Sequence, residues 1–94
     1  MAPAAIKKRI NRAKQAAWKA LKDVKYDIIP SDNNIFCLVA ARNKEIRLIK
    51  VVIAACTPRE IQAIREFQAP TSTCTKEIWT RRPDNSGFDT MIIQ

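Results

Sequence analysis

Two largely apolar runs, residues 35–41 and 46–53, are separated only by Arg42-Asn43-Lys44-Glu45. Runs of this length read as strands, and the connection is of hairpin length with an Asn able to take a left-handed conformation. A strand with one wet face alternates apolar and polar residues, whereas Leu48-Ile49 and Val51-Val52-Ile53 do not. Both faces of this hairpin therefore need cover, which points to a central sheet with a helix on each side.

The helices are visible on either side of the hairpin. Across residues 3–24, Ile6, Ile10, Ala13, Ala17, Leu21 and Val24 recur at spacings of three and four, a single apolar stripe of a helix. Thr57-Pro58-Arg59-Glu60 is a capping box with proline at the first helical position, and Ile61, Ile64 and Phe67 give the second helix its apolar face up to Ala69-Pro70. Tyr26-Asp27-Ile28-Ile29 reads as a short strand, stopped by Pro30 and the turn-prone Ser31-Asp32-Asn33-Asn34. Residues 76–81 and the alternating residues 88–93 read as two more strands around a turn at residues 83–87. The expected fold is α/β, a single α-β-β-β-α-β-β domain over residues 1–94 with a mixed central sheet flanked by two helices. A chain of 94 residues with one glycine and 47% hydrophobic residues has the composition of one ordered domain.

The charge is uneven. Of a formal net +8, residues 1–25 hold eight basic side chains against Asp23 alone, leaving nine basic against eight acidic groups in the rest of the chain. A field concentrated on one helix attracts polyanions, phosphate backbones before anionic membranes. Trp18 lies about 120° around the helix from Ile6, away from the apolar stripe, with Lys14 and Lys22 one turn to either side. An aromatic among lysines is suited to stack on a base or sugar while its neighbours neutralise phosphate. The competing reading buries Trp18 inside the fold or in a dimer. The candidate nucleic-acid contacts are Lys7, Lys8, Arg12, Lys14, Trp18, Lys19 and Lys22, with Lys50 as an addition from the hairpin and Arg81-Arg82 as an extension. Trp79 is expected in the core.

The element order, the basic first helix and four local stretches carry a resemblance. These are Lys25-Tyr26-Asp27-Ile28-Ile29, Phe36-Cys37-Leu38-Val39-Ala40, Arg47-Leu48-Ile49-Lys50-Val51-Val52 and Lys76-Glu77-Ile78-Trp79. Over residues 6–93 the chain resembles the PD-(D/E)XK nucleases, particularly small archaeal-type Holliday-junction resolvases, which implies a restriction-endonuclease-like fold. In that family an acid on the first helix, an Asp on the second strand and a Glu-x-Lys on the third converge on a divalent metal. The resemblance places these slots on Gln15, Cys37, Lys50 and Val52, and all four depart from the pattern. Cys37 is a poor ligand for a hard cation, Val52 has no polar atom and Lys50 repels a metal, by roughly 8 kcal/mol for a divalent ion about 4 Å away at an effective dielectric near 20. The site reads as degenerate.

Other chemistry is thinly supplied. There is no histidine, and one glycine cannot make a phosphate-cradling loop. Cys37, Cys56 and Cys74 show no CxxC spacing and read as buried thiols of a reducing cytosol, with Cys37 beside Lys50 the one candidate for a reactive thiol. No apolar stretch approaches the length of a membrane span, no signal segment is apparent, and no cofactor is expected. The expectation is a cytoplasmic, non-catalytic nucleic-acid-binding protein, with DNA favoured as partner. The alternatives are a protein–protein module, such as a homodimer or a mobile-element adaptor, and a metal-dependent nuclease with relocated ligands, for which Asp32 is the candidate acid.

Overall fold

The computed structural model describes residues 3–31 and 35–93, with the side chains of the first helix described from Lys7 onward. The chain runs α1 (Pro3–Asp23), β1 (Asp27–Pro30), β2 (Leu38–Arg42), β3 (Glu45–Val52), α2 (Pro58–Glu66), β4 (Cys74–Arg81) and β5 (Phe88–Ile93). All five strands form one sheet in the order β1-β2-β3-β4-β5. The first three make an antiparallel meander, β4 runs parallel to β3 because α2 carries the chain back across the sheet, and β5 returns antiparallel. This is the α/β architecture expected from the doubly apolar hairpin.

Each face of the sheet has its own apolar cluster. On one side Ala13, Ala17 and Leu21 of α1 pack with Leu38, Ala40, Ile49, Val51 and Trp79. On the other, Ile64 of α2 packs with Phe36, Leu48, Ile78 and Ile93. The unbroken apolar texture of β3 is thereby explained: Ile49 is 0% exposed under α1 while its neighbour Leu48 is buried under α2. Small alanines at the contact let α1 lie close to the sheet, leaving its long basic residues on the other faces.

Local hydrogen bonding sets the element ends. α1 closes when Lys25 enters the left-handed region (φ 69), so that its N–H donates to the Lys22 carbonyl at 3.0 Å and the Tyr26 N–H to that of Leu21 at 3.0 Å. Asn43, with φ 56, makes the hairpin turn that the sequence indicated. Thr57 and Glu60 form the expected reciprocal cap, the Thr57 N–H donating to Glu60 Oε1 at 2.9 Å and the Glu60 N–H to Thr57 Oγ1 at 3.2 Å.

α2 stops at Glu66, ahead of the expected Ala69-Pro70. Phe67 turns to extended backbone (ψ 123), and its ring meets Phe36 edge-on at 5.2 Å. Lys76, reaching over from β4, donates to the carbonyls of Ile64, Arg65 and Phe67 at 2.8, 3.0 and 2.9 Å. A cation at a helix C-terminus satisfies orphan carbonyls and the helix dipole together, so the helix ends where the lysine arrives. β2 likewise begins at Leu38 and not at residue 35, because Phe36 is drawn under α2, although the Cys37 N–H still donates to Ile49 O at 2.8 Å. Among the described residues no helix is long and apolar enough to cross a membrane.

Candidate nucleic-acid interface

α1 carries seven basic side chains against one acid over Pro3–Asp23. Its apolar stripe is spent on the sheet, so the cations must point elsewhere. Lys7, Lys8, Arg9, Arg12, Lys19 and Lys22 are exposed and Lys14 is half-buried. Among the described residues no ion pair involves an α1 side chain. The helix therefore presents unneutralised positive charge to solvent.

Trp18 is half-buried and packs against the edge of the α1-side cluster. It lines a groove of about 400 Å³ with Lys14, Gln15, Lys19, Pro30, Ser31, Cys37 and Leu38. Its ring is thus partly held by the fold and partly open to the groove, which Lys14 and Lys19 also line. Such a groove offers an aromatic surface and cations within one small concavity.

The four slots implied by the nuclease resemblance do not meet. Gln15 and Cys37 share the Trp18 groove on the α1 side. Lys50, by the alternation of β3, emerges on the α2 side, where its ammonium lies 3.5 Å from Glu60 and its side chain is 15% exposed. Val52 packs into the α2-side cluster. Lys50 does not join the lysines of α1, since the sheet stands between them; nor does it sit beside Cys37, because its charge falls on Cys56. Burial and the Glu60 carboxylate push the Cys56 thiol up against the opposing pull of Lys50, and burial likewise raises that of Cys74. All three cysteines are free and half-buried, not fully enclosed as expected. Asp32 lies outside the described residues. Among the described residues no three His, Cys, Asp or Glu side chains gather as metal ligands.

Two polar arrangements were not visible in the sequence. The first is an arginine cleft of about 460 Å³ on the opposite flank of α1, lined by Arg9, Arg12, Arg81 and Arg82 with Ala13, Ile53, Pro83 and Asn85. The second is Glu77, 3% exposed at the centre of β4. Arg47 donates to both its oxygens, from Nη2 at 2.6 Å and Nε at 2.7 Å, while Thr75 Oγ1 donates at 2.7 Å and Trp79 Nε1 at 3.0 Å. The guanidinium lies 5.3 Å from the ring centres of both Tyr26 and Trp79. Burial pushes the Glu77 carboxyl up, but the hydrogen bonds from Arg47, Thr75 and Trp79 outweigh it and hold the group below its ordinary range. Arg47 is held charged above its ordinary range, first by its hydrogen bonds to Glu77. Every polar atom of this carboxylate is used, so it stiffens the sheet and offers nothing to a metal.

No protein-family model matches the chain, and no curated protein or solved structure matches it either. The function rests on the chemistry of the surface. Trp79 is buried, as expected of a core residue, while Arg81 and Arg82 adjoin the basic helix, lining one cleft with Arg9 and Arg12 of α1.

Proposed function

We propose that this chain is a cytoplasmic, non-catalytic nucleic-acid-binding module of nuclease-like architecture, whose contact surface is the solvent face of α1. The observation that carries this reading is a 21-residue helix with seven basic groups, none paired to an acid among the described residues. Lys7, Lys8, Arg12, Lys19 and Lys22 contact phosphate, with Lys14 and Trp18 at the groove supplying a stacking surface. The element order and the helix on each face support the nuclease-like part of the reading. The slots at Gln15, Cys37, Lys50 and Val52, divided between two faces and without carboxylates, support the non-catalytic part. DNA is the favoured partner.

Titration of labelled single-stranded and duplex DNA over a range of salt tests this. The logarithm of affinity should fall with the logarithm of salt by about 0.9 per phosphate contacted on duplex. Lys7→Gln/Lys8→Gln/Lys19→Gln should flatten that slope by about three contacts' worth, roughly 2.7. A slope near zero, or one unchanged in the triple variant, refutes the reading.

A second reading has its own support. β5 is an edge strand, and Met91 and Ile92 on its two faces are 49% and 60% exposed. An apolar free edge is suited to pairing with another chain, including a second copy. Sedimentation equilibrium decides it: a concentration-dependent dimer abolished by Ile92→Lys favours this reading, and a monomer at all concentrations removes it.

A further inference from the structure

α1 has two flanks with different chemistry. Arg9 and Trp18 are nine positions apart, which sets them about 180° apart around the helix, one to each side of the buried stripe of Ala13, Ala17 and Leu21. The Trp18 flank faces Pro30 and Cys37. The Arg9 flank faces the β4–β5 turn, where Arg81 and Arg82 complete the cleft.

The cleft is lined by four arginines against two acids at its rim, Asp89 and Asp84, the latter in the β4–β5 turn within the field of Arg82. Arg82 Nε lies 3.0 Å from Asp89 Oδ1, whose side chain is 72% exposed. Arg81 is held by the Phe88 ring, 4.9 Å from its centre, and by the Gly87 carbonyl at 3.5 Å, neither of which cancels its charge. Arg9 and Arg12 reach in from α1 with no ion pair. Like charges drawn from distant parts of the chain into one concavity repel, and an oxyanion relieves that repulsion. Guanidinium forks match phosphate oxygens in pairs, which ammonium groups do not. The β4–β5 contacts set the directions of two of the four groups in advance, and Ala13, Ile53 and Pro83 supply the apolar part of the lining.

We propose that Arg9, Arg12, Arg81 and Arg82 form a phosphate site, and that a nucleic-acid strand straddles α1 with one phosphate seated there and a base at Trp18. The straddling strand rests on the reading of α1 given above; the phosphate site itself rests on the cleft.

The test uses pyrophosphate and a single-stranded oligonucleotide as separate probes, read by the side-chain Nε–H resonances of the arginines. Both probes should shift Arg81 and Arg82. Arg9→Gln/Arg12→Gln should weaken pyrophosphate binding by about tenfold or more, whereas Arg59→Gln/Arg65→Gln, which removes equal charge from exposed positions of α2 on the other face of the sheet, should change it by less than about twofold. Pyrophosphate binding without oligonucleotide binding would overturn the nucleic-acid reading and keep the phosphate site. Oligonucleotide binding that leaves the arginine resonances and the Arg9→Gln/Arg12→Gln affinity unmoved would overturn the site and keep the reading. A polyglutamate peptide that competes as strongly as pyrophosphate would overturn the assignment to phosphate.

Discussion

Replacing Glu77 with Gln keeps the size of the side chain and removes its charge at the most enclosed polar point of the sheet. The native carboxylate accepts four hydrogen bonds: Oε1 from Arg47 Nη2 and Trp79 Nε1, Oε2 from Arg47 Nε and Thr75 Oγ1. Glutamine retains one oxygen. Its amide nitrogen is best placed at the Oε2 position, because the Thr75 hydroxyl can rotate to accept while Trp79 N–H cannot. Arg47 Nε–H then loses its acceptor, which costs about 1–3 kcal/mol, and the bonds that remain are to a neutral oxygen, for about 1 kcal/mol more. The total of about 2–4 kcal/mol is a large share of the roughly 5–14 kcal/mol expected for a domain of this size. Arg47→Met strands the buried carboxylate instead and should cost a comparable amount. Urea unfolding at neutral pH of the wild type, both single variants and Arg47→Met/Glu77→Gln checks the argument. The double variant should cost less than the two singles together by about 1 kcal/mol or more, because either change breaks the same unit. A Glu77→Gln cost below about 0.5 kcal/mol, or strictly additive costs, would refute the claim that the pair is held out of water and acts as one unit.

The same carboxylate makes stability depend on pH. With its folded value depressed, Glu77 contributes stability that is complete above the unfolded carboxyl range near about pH 4.3 and is lost as pH falls through the folded value; Glu77→Gln should flatten that acid limb in pH-dependent urea melts. Thr57→Ala removes the cap at the start of α2 and should cost about 1 kcal/mol, shifting the urea midpoint without changing the slope.

The local features were the legible ones. The cap at Thr57-Pro58-Arg59-Glu60, the turn at Asn43 and the Ala13, Ala17 and Leu21 part of the α1 stripe each follow from residues a few positions apart, and each is where the sequence places it; Val24, expected at the end of the stripe, falls beyond α1 and is 49% exposed, while the side chain of Ile6 lies outside the described residues. The end of α2 was not legible, because it is set by Lys76, which comes from a strand across the sheet. Lys50 was misread for a related reason. The alternation of β3 follows from the sequence, but the sequence did not show that Glu60 and Cys56 wait on the side of Lys50 while Cys37 lies on the other. Glu77 and Arg47 gave no signal, since each reads as an ordinary charge within a strand; only the parallel register, which sets Arg47 opposite Thr75 and Ile49 opposite Glu77, brings them together.

Periodicity, capping residues and charge along one helix are properties of neighbouring residues, and the chain by itself therefore determined its layers, its element order and the cationic character of α1. Which side chains share a site depends on strand register and on the crossover through α2, where a shift of one residue would send every side chain of a strand to the opposite face. The arginine cleft, the enclosed Glu77 and the separation of Lys50 from Cys37 were decided at that level alone, because each joins groups that have no common neighbourhood until the sheet is assembled.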